Sequence, residues 1–249
     1  MTPRLARRLV PLALLALSCA GPSELARRGD AALAGGDPER AFALATRALD
    51  RQPGNARALA TAAAAARAIA DGWERRIRAA AVADTLAAAG QTLEYAAFRA
   101  RAARYAPVEV APSWVDDERT LRHAAARIHH ARGEAALGAA RPKAACAEFV
   151  EVERFVPGYG DVARLSQRAF DGALTRVALL PLRGAPAKTA LGREVADAWR
   201  GEIARRLEGR RARFTRVVPG EEIERAMTVA ELGGLSREDA VRIGRRVKA

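Results

Sequence analysis

Aromatic residues are scarce in this 249-residue chain, with six Phe, three Tyr and three Trp making up 5% of it. A core with so few large side chains has to close by near approach of its helices. Cysteines number two, which excludes a disulfide-rich scaffold. No apolar stretch reaches the roughly 20 residues of a membrane-crossing helix, so a polytopic membrane protein is excluded as well. Lysine is nearly absent, since only Lys143, Lys188 and Lys248 among 42 basic residues are not arginine. That bias is what a GC-rich genome produces, so part of the +13 net charge reflects codon usage. What fills the chain instead is alanine, 62 residues of it. Alanine is the strongest helix former, and the apolar content is too high for a disordered or collagen-like chain.

The first 18 residues set a compartment. Arg4, Arg7 and Arg8 precede a nine-residue apolar run, Leu9–Leu17, which is too short to span a bilayer and reads as a signal-peptide core. Ala16-Leu17-Ser18-Cys19 resembles the lipobox of bacterial lipoproteins, with Ala16 where the family usually has Leu, Val or Ile. The resemblance implies cleavage before Cys19, acylation of that cysteine, and residues 19–22 as a lipidated tether. Ala20, which is not Asp, implies sorting to the outer membrane of a Gram-negative cell, facing the periplasm. The alternative is an ordinary cleaved signal. The charge left after removal of residues 1–18 is +10, and the anionic partners in that compartment are lipid headgroups, peptidoglycan carboxylates and acidic protein faces, with no nucleic acid. An acylated Cys19 leaves Cys146 without a disulfide partner, as a small core residue of a helix.

From Ser23 two helical segments flank Gly35-Gly36-Asp37-Pro38, and the second ends at Pro53-Gly54-Asn55. Gly29, Gly36, Ala41, Ala48 and Pro53 stand where a tetratricopeptide repeat has its small residues, its turn and its end. The segment resembles that family, with Leu25 and Arg28 at positions where the family usually has Trp and Leu. Gly133, Ala145 and Pro157 repeat the spacing of Gly29, Ala41 and Pro53 at an offset of 104, close to three 34-residue units. Between the copies, 57–70 is nearly polyalanine, and 73–89 and 92–105 carry apolar residues at helical spacing. The stretch 106–112 breaks the array. Residues 23–172 therefore read as a helical-repeat solenoid whose groove would hold a peptide or partner helix.

The last seventy-five residues change character. Val177–Leu182 is an apolar run of strand length, 190–207 places Leu191, Val195, Ala198, Trp199, Ile203 and Leu207 at helical spacing, and Phe214–Val218 is a second strand stopped by Pro219. This is a βαβ pattern with parallel strands. Two helices follow, with Ile223, Met227 and Ala230 on one and Ala240, Ile243 and Val247 on the other. Ser236 and Asp239 form a capping-box start to the second. The segment from 175 to 249 resembles the small α/β domain of the curli-secretion (CsgG-like) lipoproteins, related to domains in penicillin-binding-protein activators and at the amino end of the translocation protein TolB. That resemblance implies a further strand after the last helix, so the expectation is either a chain continuing past Ala249 or a partner completing the sheet.

Candidate chemistry is sparse. His123, His129 and His130 share one helix, with Glu134 four residues beyond His130, and read as exposed helix residues in place of a zinc set. Gly184–Thr189 lacks the Gly before Lys of a phosphate loop and contains Pro186, and it reads as a surface loop. No Gly-x-Ser-x-Gly occurs. The densest basic cluster is Arg205, Arg206, Arg210, Arg211, Arg213 and Arg216, either a solvated helix end or a contact for an anionic surface. The fold class expected is mainly α, a helical-repeat solenoid followed by a small α/β domain. The function expected is a non-enzymatic outer-membrane lipoprotein without metal or cofactor, an adaptor binding envelope proteins in assembly or secretion. The alternatives are a peptidoglycan-tethering structural lipoprotein and a CsgG-like secretion component.

Overall fold

The computed structural model describes residues 21–180, 189–207, 213–228 and 235–249. The signal-peptide segment, Cys19, the loop at 184–188, Arg210, Arg211 and Ala230 lie outside the described residues. The chain is mainly helical with one two-stranded parallel sheet. It divides into two compact units, one running to Ile128 with Arg154–Pro157, the other comprising His129–Glu153 and Gly158–Ala249. The division falls inside two helices, whereas the sequence changes character near residue 174.

In the first unit, α1 (Pro22–Ala34) and α2 (Pro38–Arg51) flank the expected turn. Gly36 takes φ +78°, a left-handed conformation that glycine adopts without a Cβ clash. Asp37 caps α2 by accepting from the Arg40 N–H at 3.0 Å, a contribution of about 1 kcal/mol. Gly29, Ala41 and Ala48 are buried. A Cβ on Gly29 would sit 3.3 Å from Thr61 Cγ2 and 3.4 Å from the Ala41 carbonyl oxygen. That absence lets α1 pack on α2 and on α3 (Ala56–Ala83) together. Pro53 is exposed ahead of Asn55, which caps α3 by accepting from the Ala58 N–H at 3.0 Å. Leu25, Leu49 and six alanines close this cluster.

The middle helices differ from the sequence reading. α3 runs 28 residues without a break, straight through Asp71-Gly72-Trp73. One glycine inside a helix costs about 1 kcal/mol and does not end it without a proline or a second glycine. The break comes at Asp84, whose side chain accepts from the Ala87 N–H at 3.0 Å and starts α4 (Thr85–Ala102). Ile69, Ile77, Tyr95, Phe98 and Trp114 form the second cluster of this unit. A non-helical stretch precedes α5 (Pro112–Gly138) within 106–112. Its residues are packed: Ala106 joins the first cluster, and Val108 and Val110 lie on the second.

In the second unit, the turn between α5 and α6 (Pro142–Phe155) reproduces the turn between α1 and α2 bond for bond. Gly35, Gly36 and Asp37 donate to the carbonyls of Ala31, Leu33 and Ala32, and Ala139, Ala140 and Arg141 donate to those of Ala135, Leu137 and Ala136. Every pair is offset by 104. Ala140 holds φ +53° where Gly36 holds +78°. Gly133 and Ala145 also recur in role, because a Cβ on Gly133 would lie 2.8 and 2.9 Å from Cζ and Cδ1 of buried Phe149 and closer still to Cε1. Pro157 is exposed after α6. Cys146 is a buried free thiol, and burial pushes its pKa up.

The histidines need a correction. His123 is exposed, but His129 and His130 are largely buried. His129 Nδ1 is 2.8 Å from Glu148 Oε2, and His130 lies between Asp161 Oδ1 at 3.0 Å and Glu134 Oε2 at 3.2 Å. The hydrogen bond from His130, then that from Arg164, holds the Asp161 carboxyl below the usual range. Asp161 stands before α7 (Val162–Ala173), so the pair ties the start of α7 to α5.

The sheet pairs β1 (Thr175–Val177) with β2 (Thr215–Val217) in parallel, Arg176 opposite Arg216. β1 is shorter than the apolar run that suggested Val177–Leu182, and within 178–180 the chain is not strand. The last hydrogen bond of the pair runs from the Val218 N–H to the Val177 carbonyl at 2.9 Å. The crossover is α8 (Thr189–Arg206), and its buried stripe is Gly192, Ala196 and Arg200. Leu191 and Trp199 are more than half exposed, contrary to the apolar stripe expected. A sheet of two three-residue strands is a narrow platform, met by the small residues of α8. Arg200 donates to the Leu179 carbonyl at 2.6 Å and to Asp197, and a Cβ on Gly220 would come within 2.8 Å of its Nη2. α9 (Gly220–Ala226) and α10 (Arg237–Arg246) complete a small core of Val218, Ile223, Ile243 and Val247. The capping box at Ser236 and Asp239 is present.

Two predictions follow from the paired turns and their glycines. Gly133→Ala should lower stability by about 1–3 kcal/mol through overpacking against Phe149, whereas Gly29→Ala should stay within about 1 kcal/mol of neutral, because the helix-propensity gain offsets the tight contact. Thermal melts of the two variants check the contrast. Ala140→Gly should stabilise by about 1 kcal/mol by relieving a left-handed alanine, and denaturant midpoints measure it.

Candidate protein-binding groove

A concavity lies between α2, α3 and α4, with a volume of about 650 Å³. Each wall is a stripe of one helix: Glu39, Ala43 and Thr46 on α2, Ile69 and Trp73 on α3, Glu94, Ala97, Phe98 and Arg101 on α4. Phe42 and Phe98 meet edge to face at 5.6 Å between ring centres, and Trp73 stacks on Tyr95 at 6.4 Å. Arg76 lies 4.6 Å over the Trp73 ring. Ala43 and Ala97 are exposed and leave the walls low. Glu39, Glu94 and Arg101 are exposed and have no ion-pair partner among the described residues. The sequence reading named a groove in general terms and missed these residues. No signal for it stood in the sequence: half of the twelve aromatics fall before residue 115, which is what an even spread would give.

A network of charged side chains fixes the α4 wall from behind. Glu118 on α5 is 9% exposed and accepts from Arg99 Nη2 at 2.5 Å and from Arg122 Nη2. Arg122 Nε donates to Thr92 Oγ1 at 3.2 Å, and the Arg99 guanidinium lies 4.8 Å from the Tyr95 ring centre. The Tyr95 hydroxyl donates to Glu74 Oε1 at 3.3 Å, and burial followed by the Glu74 charge pushes that phenol far above its ordinary range. Arg78 joins Glu74 to Asp117 and faces the Trp114 ring. The network ties α3, α4 and α5 together.

The basic cluster singled out in the sequence is divided. Arg210 and Arg211 lie outside the described residues. Arg205 and Arg206 share one carboxylate, Glu202, at 2.7 and 2.6 Å. Arg213 sits 5.5 Å from the Phe214 ring, and Arg216 is exposed on β2. Among the described residues no group of His, Cys, Asp and Glu is placed to hold a metal ion, and no helix is long and apolar enough to cross a membrane. The groove offers apolar area and fixed charge, which is binding chemistry.

Glu118→Ala should destabilise the chain by roughly 3 kcal/mol, because Arg99 and Arg122 would keep their burial and lose their countercharge. Urea unfolding of the variant beside Asp116→Ala, whose carboxylate is exposed, measures the difference.

In comparison with known proteins, no family model, no curated protein and no solved structure matches this chain.

Proposed function

We propose that the chain is a non-enzymatic lipoprotein adaptor of the Gram-negative outer membrane, anchored through Cys19, facing the periplasm, and holding an envelope protein in the groove between α2, α3 and α4. The observation that carries this reading is the groove itself: an aromatic floor with low alanine walls and charged groups that no other side chain occupies. Apolar anchors on such floors supply most of the binding energy at interfaces, with exposed polar groups at the rim. The helical-repeat part of the reading is supported by the two turns with the same hydrogen bonds at an offset of 104 and by the recurrence of Gly29 and Ala41 as Gly133 and Ala145. The anchor, the compartment and the CsgG-like character of 175–249 rest on sequence resemblance. Peptidoglycan tethering through the arginine cluster gains no support from Arg205 and Arg206, whose charge Glu202 partly offsets.

A photo-crosslinking residue at Ala97, on the groove wall, should give one defined protein adduct in intact envelopes. The same residue at Val82, which is 90% exposed on α3, should not. Equal labelling at both positions sinks the groove as the binding site. Mass spectrometry of the amino-terminal peptide should show acylated Cys19, and an unacylated start elsewhere would remove the anchor.

A further inference from the structure

The unpaired carboxylates of the groove specify what it accepts. The chain carries 42 basic residues against 29 acidic ones, so two unpaired carboxylates in one groove run against its overall charge. Many acids of the same unit are engaged: Glu24 with Arg27 and Arg28, Asp30 with Arg57, Asp50 with Tyr105 and Arg104, Asp117 with Arg78, Glu118 with Arg99 and Arg122. Asp71 and Glu109 are exposed without an ion pair among the described residues, and neither lines the groove. Glu39 and Glu94 are also unpaired, and they differ from Asp71 and Glu109 in lining the groove together, over its aromatic floor. They come from different helices, α2 and α4, the helices that also carry Phe42 and Phe98. Of the nearby cations, Arg76 is held over Trp73, while Arg101 stands free on the rim and leaves the lining with one net negative charge.

We propose that the groove takes a basic segment of a partner protein, one that sets a large apolar side chain on Phe42, Ile69, Trp73 and Phe98 and places lysine or arginine beside Glu39 and Glu94. This rests on the adaptor reading and adds the chemistry of the partner. Complementary charge at an apolar interface fixes register and rejects like-charged competitors more than it adds affinity. The overall charge of the chain acts the other way, since a chain of +13 attracts acidic peptides without specificity. A preference for a basic segment therefore has to arise locally.

The test uses the full-length protein in a non-ionic detergent and two short amidated peptides with leucine at helical spacing, one carrying lysine at every polar position and the other glutamate. Fluorescence anisotropy of labelled peptide should show the lysine peptide binding more tightly. Glu39→Gln with Glu94→Gln should weaken that binding roughly tenfold, at a fewfold for each exposed pair. Ala43→Trp should abolish it by filling the wall, with circular dichroism confirming the fold of both variants. Equal or tighter binding of the glutamate peptide overturns the proposal, as does binding of neither peptide or indifference to the Glu39 and Glu94 changes. Concentration-dependent self-association that Ala43→Trp removes would put a second copy in the groove and overturn it too. In each of these cases the crosslinking at Ala97 still decides whether the groove holds a protein at all.

Discussion

Helices that meet through alanine lie close together, and the first unit is arranged around that spacing. Gly29 and the buried alanines at 41, 45, 48, 58 and 62 draw α1, α2 and α3 into contact through side chains of one carbon or none. Such faces approach toward the near end of the usual helix-packing distance, about 8 Å. A face committed to one close contact cannot serve another. α3 turns other residues, Ile69 and Trp73, toward α4, and between α2 and α4 the join is the ring contact of Phe42 with Phe98. The groove is what remains where large side chains replace small ones at only part of a contact.

The same scarcity of large apolar residues explains how α5 is held. Its contribution to the second cluster is Trp114 with Leu121 packed against it, and side-chain hydrogen bonds add to that attachment: Glu118 to Arg99, Arg122 to Thr92, Asp117 to Arg78. Arginine suits this work because its planar fork serves a carboxylate, a hydroxyl and an aromatic face together, which lysine cannot do. A buried triad of this kind adds little net stability against an apolar alternative, but it is intolerant of losing one member. Arg200 repeats the arrangement in the second unit, its stem packed and its guanidinium spent on a backbone carbonyl and Asp197. The arginine excess is thus used structurally at several positions.

How much of this was legible follows from how local each signal is. The turns at Gly35–Pro38 and Pro53–Asn55, the capping box at Ser236 and the two strands flanking a helix are written in adjacent residues, and each is present within a few residues of its expected place. The course of α3 through Gly72 was not legible, because whether one glycine stops a helix depends on what the continuing turns pack against. The exposed face of α8 was misread for a similar reason. Apolar spacing identifies a stripe, but only the width of the sheet beneath decides whether Leu191 and Trp199 are covered or Gly192, Ala196 and Arg200 are. The histidines were read as exposed because their partners, Glu148 and Asp161, are distant in sequence. The groove drew on three helices and left no contiguous motif.

A carboxylate that stays unpaired on a surface is stable there because water solvates it, so its lack of a partner costs the free protein little. The position changes when an apolar side chain covers the aromatic floor and water leaves the rim. Desolvated without a cation, Glu39 and Glu94 would oppose the complex by more than an exposed ion pair ever contributes. A partner that supplies the cation avoids that penalty, and one that supplies a neutral or acidic group does not. The discrimination then lies in the cost imposed on the wrong segment, with the affinity drawn from Phe42, Ile69, Trp73 and Phe98. Such a division of labour needs only a groove whose charged rim stands apart from the ion pairs that hold the fold. Here the fold-holding pairs sit on the α5 side of α4, and Glu94 is left to the groove.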